Sequence, residues 1–194
     1  MFRLRRTPRT EIDDRILSAW GSPLASPRFL SFKSGAVPLD SGPFSHDRSR
    51  SSLGFGEVIF AAAKRGFASW EMFDLGWVRV VNETAPIESR QIIAVEVRTL
   101  GLWSVNLSQI WETIDTETAF GFIYATTKQH VEQGEESFVL RLDSATGEVS
   151  YELEAVSRPR HILARLGFPV ARFFQHRFAR DSHRRMRDAV NLNS

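Results

Sequence analysis

Three features of the sequence predict an α+β fold, an antiparallel curved β-sheet gripping a long C-terminal helix. Between residues 71 and 156 the apolar residues recur with a period of two, as they do on a sheet with one face on a core. Two other segments, 54–70 and 169–190, carry apolar residues at helical spacing. The breaks between the strand-like runs are short, which favours a meander of neighbouring strands.

The elements follow in order. TEIDDRILSAW (10–20) predicts a short helix with Thr10 as N-cap and acids in its first turn. Residues 21–43 hold four of the eight prolines and predict an irregular arm laid over the domain. FSHDRSRSSL (44–53) reads as a short polar strand. In GFGEVIFAAAKRGFASW, Phe55, Val58, Ile59, Ala62, Ala63, Gly66, Phe67 and Trp70 mark the buried face of an amphipathic helix. Six strand-like runs come next: EMFDLGWVRVV, QIIAVEVRTLGLW, LSQIWETID, FGFIYATT, ESFVLRLD and EVSYELEAV, with DSATGE as a hairpin turn between the last two. Gly167 and Pro169 then interrupt any earlier helix, and proline suits a first helical turn, so the long helix is predicted from Pro169. At about 100° per residue, Phe173, Phe174 and Phe178 share one arc, and Arg172, His176, Arg180, His183 and Arg187 fall opposite. The expected organisation is an N-terminal arm with a short helix at 1–43, a gripping domain at 44–190 and a tail at 191–194.

Composition excludes several classes. The absence of cysteine removes disulfides, thiolate metal sites and a cysteine nucleophile. With 42% hydrophobic and 25% charged residues the chain is ordinary for a soluble protein, and no apolar run approaches a membrane span. The basic N-terminus lacks a following apolar stretch, so a secretory signal is not expected and a cytoplasmic location is. A net charge of +2 conceals an asymmetry: residues 1–9 carry four arginines and no acid, and residues 158–187 carry nine arginines against Asp181 alone. Such a segment binds either its own acidic body or an anionic partner. The motif Gly54-Phe55-Gly56 has Ile59 where a dinucleotide fingerprint needs its third glycine, and no phosphate-cradling or serine-elbow motif is present. No cofactor is expected. No metal is either, because His176 and His183 stand seven residues apart, about 10.5 Å along a helix.

A sheet closed by a helix forms a natural cavity for a small hydrophobic or amphipathic ligand, a lipid among them. Arg177 and Asp181 stand i, i+4 on the arc of Phe173 and Phe174. There they form either a bidentate hold on a polar head group or a structural ion pair tying helix to sheet. Arg158 and Glu136 belong to the same candidate network. The strand aromatics Trp77, Trp103 and Tyr124, with Tyr151, either line the cavity with Phe174 or simply fill the core. Asp74 alternates with Met72 and Val78; as a buried carboxylate it is a candidate general base, with Glu136 the other, for a cyclase- or hydrolase-like activity. The third reading is an electrostatic module, in which Arg172, Arg180 and Arg187 contact an anionic surface. Single-stranded nucleic acid is disfavoured for want of interleaved exposed aromatics.

HDRS (46–49), MFDLGW (72–77), LGLW (100–103), FGFIYAT (120–126), GEE (134–136), SRPRH (157–161), ARLG (164–167) and RFARDS (177–182) resemble an uncharacterised family of bacteria and plants, known only as a domain of unknown function. That family is grouped with the START-like, birch-pollen-allergen-like helix-grip proteins. The resemblance spans Phe44 to Val190, with His130 and Val131 departing from a more Gly/Pro-rich turn. It implies a helix-grip fold and a hydrophobic ligand cavity, and no common catalytic set.

Overall fold

The period-two segments form one seven-stranded antiparallel sheet, ordered β1-β7-β6-β5-β4-β3-β2. In chain order the strands are β1 (Ser45–Phe55), β2 (Val78–Val80), β3 (Ile92–Thr99), β4 (Leu102–Asp115), β5 (Ala119–Thr126), β6 (Glu132–Leu142) and β7 (Glu148–Pro159). Strands β2 to β7 are the expected meander, and β1 closes the far edge beside β7. The helices are α1 (Arg9–Ala19), α2 (Glu57–Ala68) and α3 (Phe168–Asn193). This computed structural model describes residues 2–21, 24, 29–33, 44–127, 132–159 and 168–193, with backbone only at 132, 158–159, 168–171 and 193. The turn at His130 and Val131 and the motif residues 160–167 lie outside that set.

The curled sheet holds α2 and α3 in its concave face. The core there is aromatic: Phe67, Phe73, Phe122, Phe138, Tyr151 and Trp70 are all fully buried. Phe122 stacks on Phe138 at 5.1 Å, and Phe178 of α3 meets Phe73 at 5.4 Å. Burying each such ring contributes roughly 1.5–3 kcal/mol. Small residues permit the helices to close: a Cβ at Gly66 of α2 would stand 3.4 Å from Met186 and 3.9 Å from Ala189 of α3. On the convex face α1 lays Ile12 and Ala19 against Val81, Ile92, Ala94, Val105 and Leu107. Leu30 covers Ile123 and Val156 further along, its N–H donating to Glu135 Oε2 at 2.9 Å.

Several expectations need correction. The run at 71–81 is not one strand: Glu71–Phe73 form a 3-10 turn, and only Val78–Val80 pair in the sheet. QIIAVEVRTLGLW folds back at Leu100 and Gly101, whose φ of 51° and 81° make a tight hairpin turn, so β4 takes in Leu102 onwards. Helix α1 starts at Arg9 behind Pro8, with no side-chain cap from Thr10. In α2, Phe55 and Val58 are exposed and Phe60 takes a buried place, because the helix sits on the sheet through Ala62, Ala63, Gly66 and Phe67. The buried face of α3 is turned by about a third of a revolution from the phenylalanine arc. Ser182, Met186, Ala189 and Val190 form it, Phe173 is exposed and His183 is buried. Helix α3 continues through Asn193, beyond the boundary expected at 190.

The backbones of β5 and β6 approach closely at Gly121. An added Cβ at Gly121 would stand 2.2 Å from the Phe138 carbonyl oxygen, a backbone atom that cannot move aside. Gly121→Ala is therefore expected to cost roughly 2–3 kcal/mol in urea unfolding, with the native fold retained by far-UV dichroism. A change under about 0.5 kcal/mol would show that the curl relaxes freely.

Candidate functional site at the open end of the grip

Along the concave face the side chains change character. The row Leu153, Phe138, Phe122 is large and apolar. The next row towards the ends of β5 and β7 holds Asp47, Ala155, Glu136, Tyr124 and Ile110. Beyond it come Ser45, Ser157, Gly134, Thr126 and Ser108, smaller and polar throughout. The Tyr124 hydroxyl donates to Glu136 Oε2 at 2.6 Å, and Thr126 Oγ1 accepts the Gly134 N–H at 3.1 Å. One position further along β4, Asn106 holds a buried Oδ1 with no hydrogen-bond partner among the described residues. A floor of small and polar side chains thus follows directly on an apolar wall, an arrangement that receives a molecule with one polar end.

Beside this floor the structure brings together four of the residues singled out in the sequence. The Trp77 indole donates to Asp181 Oδ2 at 3.1 Å, Phe174 lies 5.7 Å from the Trp77 ring, and the Arg177 guanidinium sits 4.5 Å over it. Arg177 and Arg180 donate to opposite oxygens of Asp181, each at 3.4 Å, with Arg184 at 3.7 Å. Burial alone would raise the Asp181 carboxyl; hydrogen bonds from Trp77 and Arg180 outweigh it and hold the group below its ordinary value. With three arginines around it, Asp181 is a tie between α3 and the Trp77 loop, and Arg177 and Phe174 are the members with exposed surface.

The other candidates lie elsewhere. Trp103 is on the convex face, between Arg6 at 4.6 Å and Arg98 at 5.5 Å, because β4 residues of odd number there face α1. Tyr151 is fully buried against Phe67, its hydroxyl 2.8 Å from Ser182 Oγ, in the filled part of the core. Asp74 follows the 3-10 turn rather than a strand, so it does not face inwards: its side chain is 64% exposed and pairs with Arg185 at 3.0 Å. The side chain of Arg158 lies outside the described residues. A surface groove of about 200 Å³ lies on the convex side among Leu30, Phe32, Ile123 and Val139, away from the concave floor. Of the arginines expected to face outwards, Arg172 is engaged with both oxygens of Asp47, whose carboxyl this hydrogen bonding holds low.

Reading the helix from its phenylalanines missed His183. Its ring nitrogens lie 2.8 Å from Ser49 Oγ and 2.8 Å from Ser51 Oγ, and its ring is 4.7 Å from Tyr151. The signal was present in the alternating serines of HDRSRSS. Burial, and secondarily the Arg187 charge, lowers its pKa to about 4. Since the unfolded histidine titrates near 6.5, unfolding takes up a proton between those values. Stability is complete above about pH 6.5 and falls as pH drops towards 4. Between about pH 7 and 4.5 the loss attributable to this group is about 2–3 kcal/mol. His183→Gln, which keeps a donor and an acceptor, is expected to shrink the pH dependence in urea titrations by that amount; an unchanged slope would place the sensitivity elsewhere.

Among the described residues no group of three or more histidines and carboxylates could hold a metal ion, and no helix is long and apolar enough to cross a membrane. A UPF0548 protein of Dictyostelium discoideum is 34% identical over 161 residues, covering 77% of this chain and 74% of that protein. Another from Arabidopsis thaliana is 28% identical over 161 residues, 80% and 78% of the two chains. In fold the chain is similar to TTHA0849 from Thermus thermophilus, with a TM-score of 0.56 at 13% identity, covering 77% of this chain and 99% of that one. It is similar also to hypothetical protein jhp0584 from Helicobacter pylori, with a TM-score of 0.51 at 10% identity and coverage of 81% and 92%. Residues 31–185 match the profile of the domain of unknown function DUF1990, and with the helix-grip architecture in place the chain belongs to that family.

Proposed function

We propose that this protein binds a small hydrophobic or amphipathic molecule, a lipid or an aromatic compound, at the open end of the grip. The observation that carries the reading is the change on the concave face from an aromatic wall to the Tyr124–Glu136 pair and its small, polar neighbours. In this reading Glu136 and Tyr124 meet the polar end of the ligand, while Trp77 and Phe174 flank its apolar body. Arg177 lies over Trp77, and Asp181 is a positioning residue that holds both. Trp103 and Tyr151 drop out of the ligand site for the reasons of face and burial given above. A catalytic version rests on Glu136 alone, since Asp74 is at the surface with Arg185. The anionic-surface version loses Arg172 to Asp47. Binding in a reducing, cytoplasmic setting fits the absence of cysteine.

The test is titration of the full chain with Nile red, an uncharged amphipathic fluorophore, alongside native mass spectrometry of gently purified protein. Saturable 1:1 binding is expected, weakened about tenfold by Glu136→Gln and by Phe174→Ala, and untouched by Trp103→Phe on the convex face. Absence of binding, or binding indifferent to both concave-face changes, removes this reading.

A further inference from the structure

Among the described residues, the β3–β4 hairpin extends beyond the ladder that β4 shares with β5. The ladder between β4 and β5 ends at Ser108 and Thr126, whereas β4 begins at Leu102, so six residues project past it, about 20 Å of strand. The N-terminal arm fills the edge left open there: the Arg3 N–H donates to the Trp103 carbonyl at 2.8 Å, and the Trp103 N–H to the Arg3 carbonyl at 2.7 Å. This register carries Leu4 to the level of Leu102, beside the turn. At the tip Leu4 is 83% exposed, Leu100 79% and Phe2 54%. Leu100 is also in the left-handed region, at φ 51°, where a hairpin turn of this kind favours asparagine or glycine. A leucine that is both strained and bare contributes nothing to the fold that a glycine would not.

Around these apolar side chains the exposed charge is mainly positive. Arg5 and Arg98 are exposed, and among the described residues neither has an acidic partner. Arg6 covers Trp103 from outside while reaching Glu96 at 3.5 Å, and Glu96 is wholly buried and also held by Arg79. Arg3 is paired with Glu11. Exposed leucine and phenylalanine ringed by unpaired arginine is the composition of a surface that enters the headgroup region of an anionic bilayer. The strand ends place this tip at the same end of the sheet as Tyr124 and Glu136. We propose that Phe2, Leu4 and Leu100, with Arg5 and Arg98, form a docking surface for anionic membranes. None of these residues belongs to the ligand site, so either assignment stands without the other.

Co-sedimentation of the full chain with vesicles tests it. Vesicles of phosphatidylcholine with about a third phosphatidylserine are expected to pellet the protein at low salt, and pure phosphatidylcholine vesicles at least about tenfold less. Leu100→Gly suits the turn's backbone and preserves folding; combined with Leu4→Ser it is expected to weaken binding about tenfold or more. Val58→Ser, at another exposed apolar residue towards the opposite end of the sheet, leaves binding unchanged. Three results overturn the proposal: no binding to anionic vesicles, binding indifferent to the Leu4/Leu100 change, or salt-sensitive binding to duplex DNA without binding to vesicles.

Discussion

The fold depends on the contact between α3 and the aromatic layer of the concave face. Phe178 lies on Phe73 and Phe138, and Met186 lies against Gly66 of α2, so one helix closes both the sheet and the helix beside it. The sheet alone would leave Phe122, Phe138 and Tyr151 facing water. The helix alone would leave Phe174, Phe178, Met186 and Val190 facing water, and an isolated helix is marginal without packing of its apolar face. Each element supplies the other's missing partner. Three polar members of α3 inside this contact are satisfied by partners across it: Ser182 by Tyr151, His183 by Ser49 and Ser51, Asp181 by Trp77.

That closure is asymmetric, and the asymmetry sets apart the candidate site. Near the β1–α2 and β6–β7 turns, α2 and α3 together fill the concave face with rings. Towards the ends of β5 and β7, among the described residues, the first turns of α3 stand above the sheet, and the outermost inner-face residues shrink to serine, threonine and glycine. Two carboxylates of this boundary are held in ion pairs. Asp47 takes Arg172, and Asp181 takes Arg177 and Arg180, so the basic character of α3 is spent largely on the protein's own carboxylates. Among the described residues, the basic side chains left without acidic partners include Arg5 on the arm and Arg98 on the β3–β4 hairpin, at the tip of the sheet.

Much of the architecture was legible because period two and helical period differ sharply over a dozen residues. The alternation of Phe138, Leu140 and Leu142 against Val149, Tyr151 and Leu153 marked β6 and β7 directly, and DSATGE marked their turn. The misreadings came where local sequence is ambiguous. MFDLGWV alternates well enough for a strand, but Gly76, at φ 74°, and the Trp70 turn bend it into an irregular link. Leu100-Gly101 carries no turn signature of the usual kind, so a hairpin was read as one strand. Trp77, as a strand aromatic, and Phe174, Arg177 and Asp181, by helical spacing, were separate candidates that the structure brings together. Trp103 and Asp74 were misplaced because the face of a strand residue follows from where the strand begins.

The sequence by itself determined the antiparallel meander, the two helices packed on it, the absence of cysteine chemistry and the separation of basic ends from an acidic body. These are properties of composition and period, which local stretches carry in full. Only the tertiary structure decided which arc of α3 is buried, that His183 is held neutral between two serines, and that Trp103 serves the convex face. Only it showed how strongly the concave face changes from aromatic to polar along its length. Those outcomes depend on which side chains meet across the fold. Phase on a helix or face on a strand is a relation between distant residues, and no single segment contains it.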